Sequence, residues 1–136
     1  MKYLGQCSCR KNKVTVDTEI DFEKLVPRRC DCDICRSLLL PVAMLSDPAL
    51  SISILKEGAG FQIRKNGSKQ ASFIHCKRCD QLLAVASNIE GNYRGAVNAF
   101  LFESINFDEA VTIRPRLLSK TEKLQRWKAI WGSLKI

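Results

Sequence analysis

No stretch of the chain approaches the roughly 20 consecutive apolar residues that a membrane-spanning helix requires. The longest apolar run, "SLLLPVAML" at 37–45, is about half that length and contains a proline. The N-terminus, "MKYLGQCSC", has no uninterrupted apolar core of the kind a secretion signal carries. A membrane partner is therefore not expected, and the cytoplasm is the expected compartment. In that reducing environment cysteines are expected to bind metal or to do chemistry rather than to form disulfides. Internal repeats and low-complexity tracts are also lacking. With 136 residues the chain has room for one domain, 1–136, and a modest core, but not for two.

The formal charge is +8. Such an excess invites an anionic partner, whether nucleic acid, a membrane surface or an acidic small molecule. It falls to +5 if all seven cysteines are thiolates holding two Zn²⁺ ions, so part of the basic excess balances metal–thiolate charge. A basic surface alone is weak ground for nucleic-acid binding, which is not expected here.

Most of the chain reads as short strands. "KVTVDTEI" (13–20) and "ALSISILKEG" (49–58) alternate apolar and polar residues with the period of two that marks a half-buried strand. "FQIRKNGSKQASFIHC" (61–76) reads as a hairpin around Asn66-Gly67. Segments 81–88 and 95–104 add two further strands. The tail differs. Ser119 and Glu122 have capping-box spacing, Leu124, Trp127 and Trp131 recur at three and four residues, and Gly132 is positioned as a stop. These features predict a short C-terminal helix laying Leu124, Trp127 and Trp131 on the sheet. Lys120, Lys123, Arg126 and Lys128 fall on its solvated side.

The seven cysteines form three groups: Cys7-x-Cys9, Cys30-x-Cys32-x-x-Cys35 and Cys76-x-x-Cys79. Such hooks bring two sulfurs within reach of one ion. Joining Cys7 and Cys9 to Cys76 and Cys79 makes a closed four-thiolate site that clasps the chain start to a late strand turn. The triplet is then left with three thiolates and an open fourth position, the arrangement of catalytic zinc. Three thiolates leave the ion a poor Lewis acid for making hydroxide, and better suited to holding a substrate thiol. Other readings stay open. Cys7 and Cys9 could pair with two members of the triplet; His75, the only histidine, could complete a Cys₃His site; or the triplet could be a metal-free redox set. Arg28, Arg29 and Arg36 flank the triplet, where Arg29 and Arg36 are candidates to hold a substrate carboxylate or to offset the thiolate charge.

The segments "GQCSCRKNKVTV" (5–16), "CDCDICR" (30–36) and "FIHCKRC" (73–79) give the chain a pattern that resembles the family of glutathione-dependent formaldehyde-activating enzymes and centromere protein V. The resemblance implies a mainly β, zinc-held single-domain β-sandwich of the β-tent type. It also implies two zinc ions, one structural on Cys7, Cys9, Cys76 and Cys79 and one catalytic on Cys30, Cys32 and Cys35. The implied activity is that of a carbon–sulfur lyase resembling S-(hydroxymethyl)glutathione synthase, with glutathione as co-substrate and a small aldehyde as acceptor. The sequence departs from the family where Arg10 and Asp80 stand in place of the usual knuckle glycines, which predicts differently shaped zinc loops. It departs again where Asp31 and Asp33 occupy the first two gaps of the triplet.

Overall fold

The computed structural model describes residues 1–30, 42–55, 58, 60–65, 70–103, 105, 107, 110–114 and 117–136, with Cys30 as a backbone position only. Among these residues, eleven strands run in chain order as β1 (Lys2–Gln6), β2 (Lys13–Asp17), β3 (Arg28–Cys30), β4 (Met44–Leu45), β5 (Ser51–Ile54), β6 (Phe61–Lys65), β7 (Ser72–Cys76), β8 (Leu82–Ile89), β9 (Asn92–Asn98), β10 (Val111–Ile113) and β11 (Gly132–Lys135). An α-helix, α1 (Lys120–Ile130), precedes the last strand. The fold is mainly β with a short C-terminal helix, as expected, and the strands belong to one sheet.

That sheet forks at β9. Along one edge β9 pairs with β8 from Asn92 to Val97. On the other edge its first half pairs with β11 and its last residues with β4. From β11 one wing continues through β5 and β2 to β1, and from β4 the other continues through β3 to β10. The antiparallel run β6-β7-β8 completes the sheet. Gly95 stands at the fork because the backbones crowd there: a Cβ at this position would lie 2.3 Å from the Val85 carbonyl and 2.7 Å from Leu134 Cδ1.

Folding of the wings encloses two cores. In the larger, Val14, Val16, Ile52 and Ile54 pack with Ile74, Ala84, Ala86 and Val97. These come from alternate positions of β2, β5, β7, β8 and β9, the consequence of period-two patterning. The smaller core lies on the other face of β7 and β8, where Phe73, Val85, Ala96 and Met44 are covered by Trp127 and Trp131. Both faces of β8 are thus closed off, which explains its nearly continuous apolar sequence.

The predicted hairpin is present as β6 and β7, paired from Phe61↔Cys76 to Lys65↔Ser72; its expected Asn66-Gly67 turn lies outside the described residues. A second tight hairpin joins β8 to β9 through Glu90 and Gly91, both at positive φ (54° and 85°).

The helix departs from expectation in two ways. Trp127 and Trp131 are buried and stacked at 4.6 Å, but Leu124 is 37% exposed, so the sheet-facing stripe is narrower than the spacing suggested. Gly132 does not stop the helix by a left-handed turn. The helix ends in extended backbone at Trp131, and Gly132 opens β11. A Cβ there would lie 2.2 Å from the Leu50 carbonyl, so the glycine is required by close approach of the backbones. The predicted capping box is present: Ser119 Oγ accepts from the Glu122 N–H, and the Glu122 carboxylate accepts from the Ser119 N–H. No helix among the described residues is long and apolar enough to cross a membrane.

Candidate metal centre

Two turns converge at one end of the sheet. Cys7 and Cys9 lie in the turn between β1 and β2, while Cys76 ends β7 and Cys79 lies in the turn to β8. Their four sulfurs lie within 4.8 Å of one another. The Cys9–Cys76 separation is 3.7 Å and the Cys7–Cys9 separation is 3.4 Å. A tetrahedron with metal–sulfur bonds of about 2.3 Å has an edge of about 3.8 Å, so these thiols fit one tetrahedral ion with little adjustment. Cys7 and Cys76 are buried, while Cys9 and Cys79 are half-exposed.

The two turns are built alike. In the first, the Cys7 N–H donates to the Asn12 carbonyl and the Arg10 N–H to the Cys7 carbonyl. In the second, the Cys76 N–H donates to the Gln81 carbonyl and the Asp80 N–H to the Cys76 carbonyl. Arg10 and Asp80 both sit at φ 62°, in the left-handed region. Two residues with side chains thus take the backbone conformation for which glycine is usual. Just beyond the second turn, residues Ile74 and His75 pair with Ala84 and Leu82, leaving Leu83 as a bulge beside the centre.

Backbone amides point at the sulfurs. Cys7 Sγ accepts from the Asn12 N–H, and Cys76 Sγ from the N–H groups of Arg78 and Cys79, each at 3.4 Å. Burial pushes the Cys76 thiol up, but the amides of Cys79 and Arg78 and the neighbouring thiols outweigh it, leaving the group at about 7. At Cys7 burial dominates and raises the thiol, opposed by the Asn12 amide. A bound cation would favour the thiolate form of all four.

Two residues that sequence reasoning missed hold the turns together. Gln81 is buried, and its Oε1 accepts from both the N–H and the Oγ–H of Ser8, at 2.7 and 2.9 Å. It links the residue between Cys7 and Cys9 to the other hook. Asn12, fully buried, donates from Nδ2 to the Gly60 carbonyl. Their only signal was a long polar side chain within three residues of a cysteine hook.

His75 is not part of the four-sulfur group. Alternation along β7 turns it away from Cys76, and it is completely buried. Its Nδ1 donates to the Asp80 carbonyl at 3.1 Å, while Nε2 has no partner among the described residues. Burial lowers its proton affinity and so favours the neutral ring. Cys32, Cys35 and Arg36 lie outside the described residues, and Cys30 is placed only as the last residue of β3, paired with Ile113 of β10. Arg29 is exposed, its guanidinium carbon 5.9 Å from the Phe100 ring centroid.

No protein-family profile matches the chain, and no curated protein does. A crystal structure of a Rhodobacter sphaeroides protein, a structural-genomics target, is similar in fold with a TM-score of 0.57 and 23% identity. The alignment covers 83% of this chain and all of that one. The likeness extends to the fold alone.

Proposed function

We propose that the chain is a zinc-dependent carbon–sulfur lyase of the formaldehyde-activating type, adding a thiol such as glutathione to formaldehyde or another small carbonyl compound. The reading is carried by one observation: the four sulfurs of Cys7, Cys9, Cys76 and Cys79 make a complete ligand set without the triplet. Four thiolates saturate a tetrahedral ion, so this centre has a structural role. Cys30, Cys32 and Cys35 then remain as a separate, open set for a second ion. Zinc bound there would supply electrostatic stabilisation of a substrate thiolate. The reaction forms a carbon–sulfur bond, and the proton leaving the thiol goes to the carbonyl oxygen, so no oxidant or reductant is needed.

The decisive measurement is zinc content of the purified full chain combined with turnover of glutathione and formaldehyde followed by NMR. Two zinc ions in the parent, one in Cys35→Ser, and turnover lost only with the second ion are expected. One zinc per chain, unchanged in Cys35→Ser, would remove the proposal.

A second reading, a zinc-held binding module without catalysis, rests on the basic residues of α1: Lys120 and Lys128 are exposed, Lys123 and Arg126 half-buried, and Lys128 is paired with Glu90 at 2.9 Å. It predicts salt-sensitive binding of a polyanion that is lost on neutralising these four residues.

A further inference from the structure

The four sulfurs of the candidate centre are not equivalent. Cys7 and Cys76 are buried and accept backbone N–H groups, Cys7 Sγ from Asn12 and Cys76 Sγ from Arg78 and Cys79. Cys9 and Cys79 are half-exposed, and no backbone amide among the described residues donates to either sulfur. An amide pointed at a thiolate draws charge from it, so the two buried sulfurs are the less nucleophilic pair. The centre thus has one shielded edge, Cys7–Cys76, and one edge open to water, Cys9–Cys79.

The open edge lies among cations. Arg10 and Lys11 follow Cys9, Lys77 and Arg78 precede Cys79, and all four are exposed. Asp80, next to Cys79, is paired with Arg64 at 3.2 Å. Partly exposed sulfurs in an electropositive setting are the ones that oxidants reach, whereas buried structural cysteines are inert. Cys9 and Cys79 also lie within 4.8 Å of each other, so each is placed to resolve an oxidised form of the other. Cys7 is nearer to Cys9, at 3.4 Å, but it is buried and held by an amide. A bridge between them would also close a ring over a single residue, which disulfide geometry tolerates poorly.

We propose that Cys9 and Cys79 form an oxidative modification site at which hydrogen peroxide turns the metal clasp into a covalent one. One thiolate of the pair attacks a peroxide oxygen, the O–O bond breaks and hydroxide leaves, giving a sulfenic acid. The other thiolate displaces hydroxide from that sulfur and forms the Cys9–Cys79 disulfide. Two electrons pass from sulfur to peroxide, which ends as two hydroxide ions. Cys7 and Cys76 alone do not complete a tetrahedral set, and they release the ion. The disulfide joins positions about 70 residues apart, so the two turns stay clasped while zinc is given up. The inference rests on the four-sulfur set and is independent of the lyase reading.

The test adds hydrogen peroxide in increments to the zinc-loaded full chain, reads free zinc with a colorimetric chelator and maps disulfides by mass spectrometry of non-reduced peptides. It is run on Cys35→Ser as well, so that an ion on the triplet is not counted. One zinc should be released per peroxide consumed, with Cys9 linked to Cys79, and dithiothreitol should restore zinc uptake. The oxidised chain should unfold at a higher temperature than the reduced chain stripped by a chelator. Cys79→His keeps four possible zinc ligands but lacks the resolving thiol. It should retain its zinc at peroxide doses that empty the parent. A chain that takes up no zinc, or a parent that keeps its zinc with Cys9 and Cys79 still reduced, would overturn the site. So would a disulfide between other members of the centre, or zinc loss from folded Cys79→His as ready as from the parent. Mapping in the parent decides the question by itself if Cys79→His does not fold.

Discussion

Replacing Cys76 by serine should abolish the metal clasp between the two turns. Cys9 and Cys76 are 67 positions apart, so an ion that holds both closes a loop of that length in the unfolded chain. Chain-entropy reasoning developed for disulfides gives about 4 kcal/mol for such a loop at 25 °C. The ion's preference for the preformed sulfurs adds to this, so the loop term sets a floor. At about 2.1 cal/mol/K of unfolding entropy per residue, 4 kcal/mol corresponds to about 15 °C in Tm. Serine at a fully buried position also perturbs packing, so two comparisons are needed. The parent should lose about 15 °C or more when zinc is removed by a chelator. Cys76→Ser should start low, and the same chelator should leave its transition nearly unmoved. Differential scanning calorimetry with and without chelator reads both. A parent that shifts by less than about 3 °C, equivalent to under 1 kcal/mol, would refute the clasp. So would a Cys76→Ser variant that still loses its full stability to the chelator.

Four further outcomes are expected. Gly95→Ala drives a methyl group onto the Val85 carbonyl and Leu134, and should cost about 3 kcal/mol or fail to fold, as read by urea unfolding. Trp127→Ala empties the smaller core and removes the stacked partner of Trp131, so a loss of about 3–5 kcal/mol should appear in the same assay. Arg10→Gly relieves a left-handed side chain and should raise zinc-loaded stability by up to about 1 kcal/mol, the gain being trimmed by glycine's unfolded-state entropy. His75 has a proton affinity lowered below the ordinary 6.5, so the unfolded chain binds its proton first. Stability should therefore fall as pH drops below about 6.5. The fall should lessen in His75→Gln, and an identical pH profile in that variant would count against the buried neutral ring.

Much of the candidate centre was legible because cysteine hooks are local. The spacing of Cys7 and Cys9, or of Cys76 and Cys79, already limits where two sulfurs can point, and a two-cysteine hook asks for a second one to complete a metal site. The strands with period-two alternation, such as β2 and β5, were legible for the same reason, as was the Ser119–Glu122 cap. β3 and β4, with three and two residues, were not. They are too short to show a period, and they exist because neighbouring strands offer them hydrogen bonds. The supporting roles of Asn12 and Gln81 were hidden because each depends on a partner far along the chain: Gln81 reaches Ser8 across 73 positions.

The sequence by itself determined the chemistry on offer: three cysteine groups, a β-rich chain between them, and a capped amphipathic tail. These follow from residue type and short-range spacing, which the backbone reads directly. Only the tertiary structure decided how they combine. It brought the first and third cysteine groups to one end of the sheet and forked β9 where Gly95 lets the backbones meet. It also turned His75 away from the sulfurs. Each of these depends on register and on which faces become buried. A one-residue slip of a strand would send every side chain to the opposite face while leaving the spacing in the sequence unchanged.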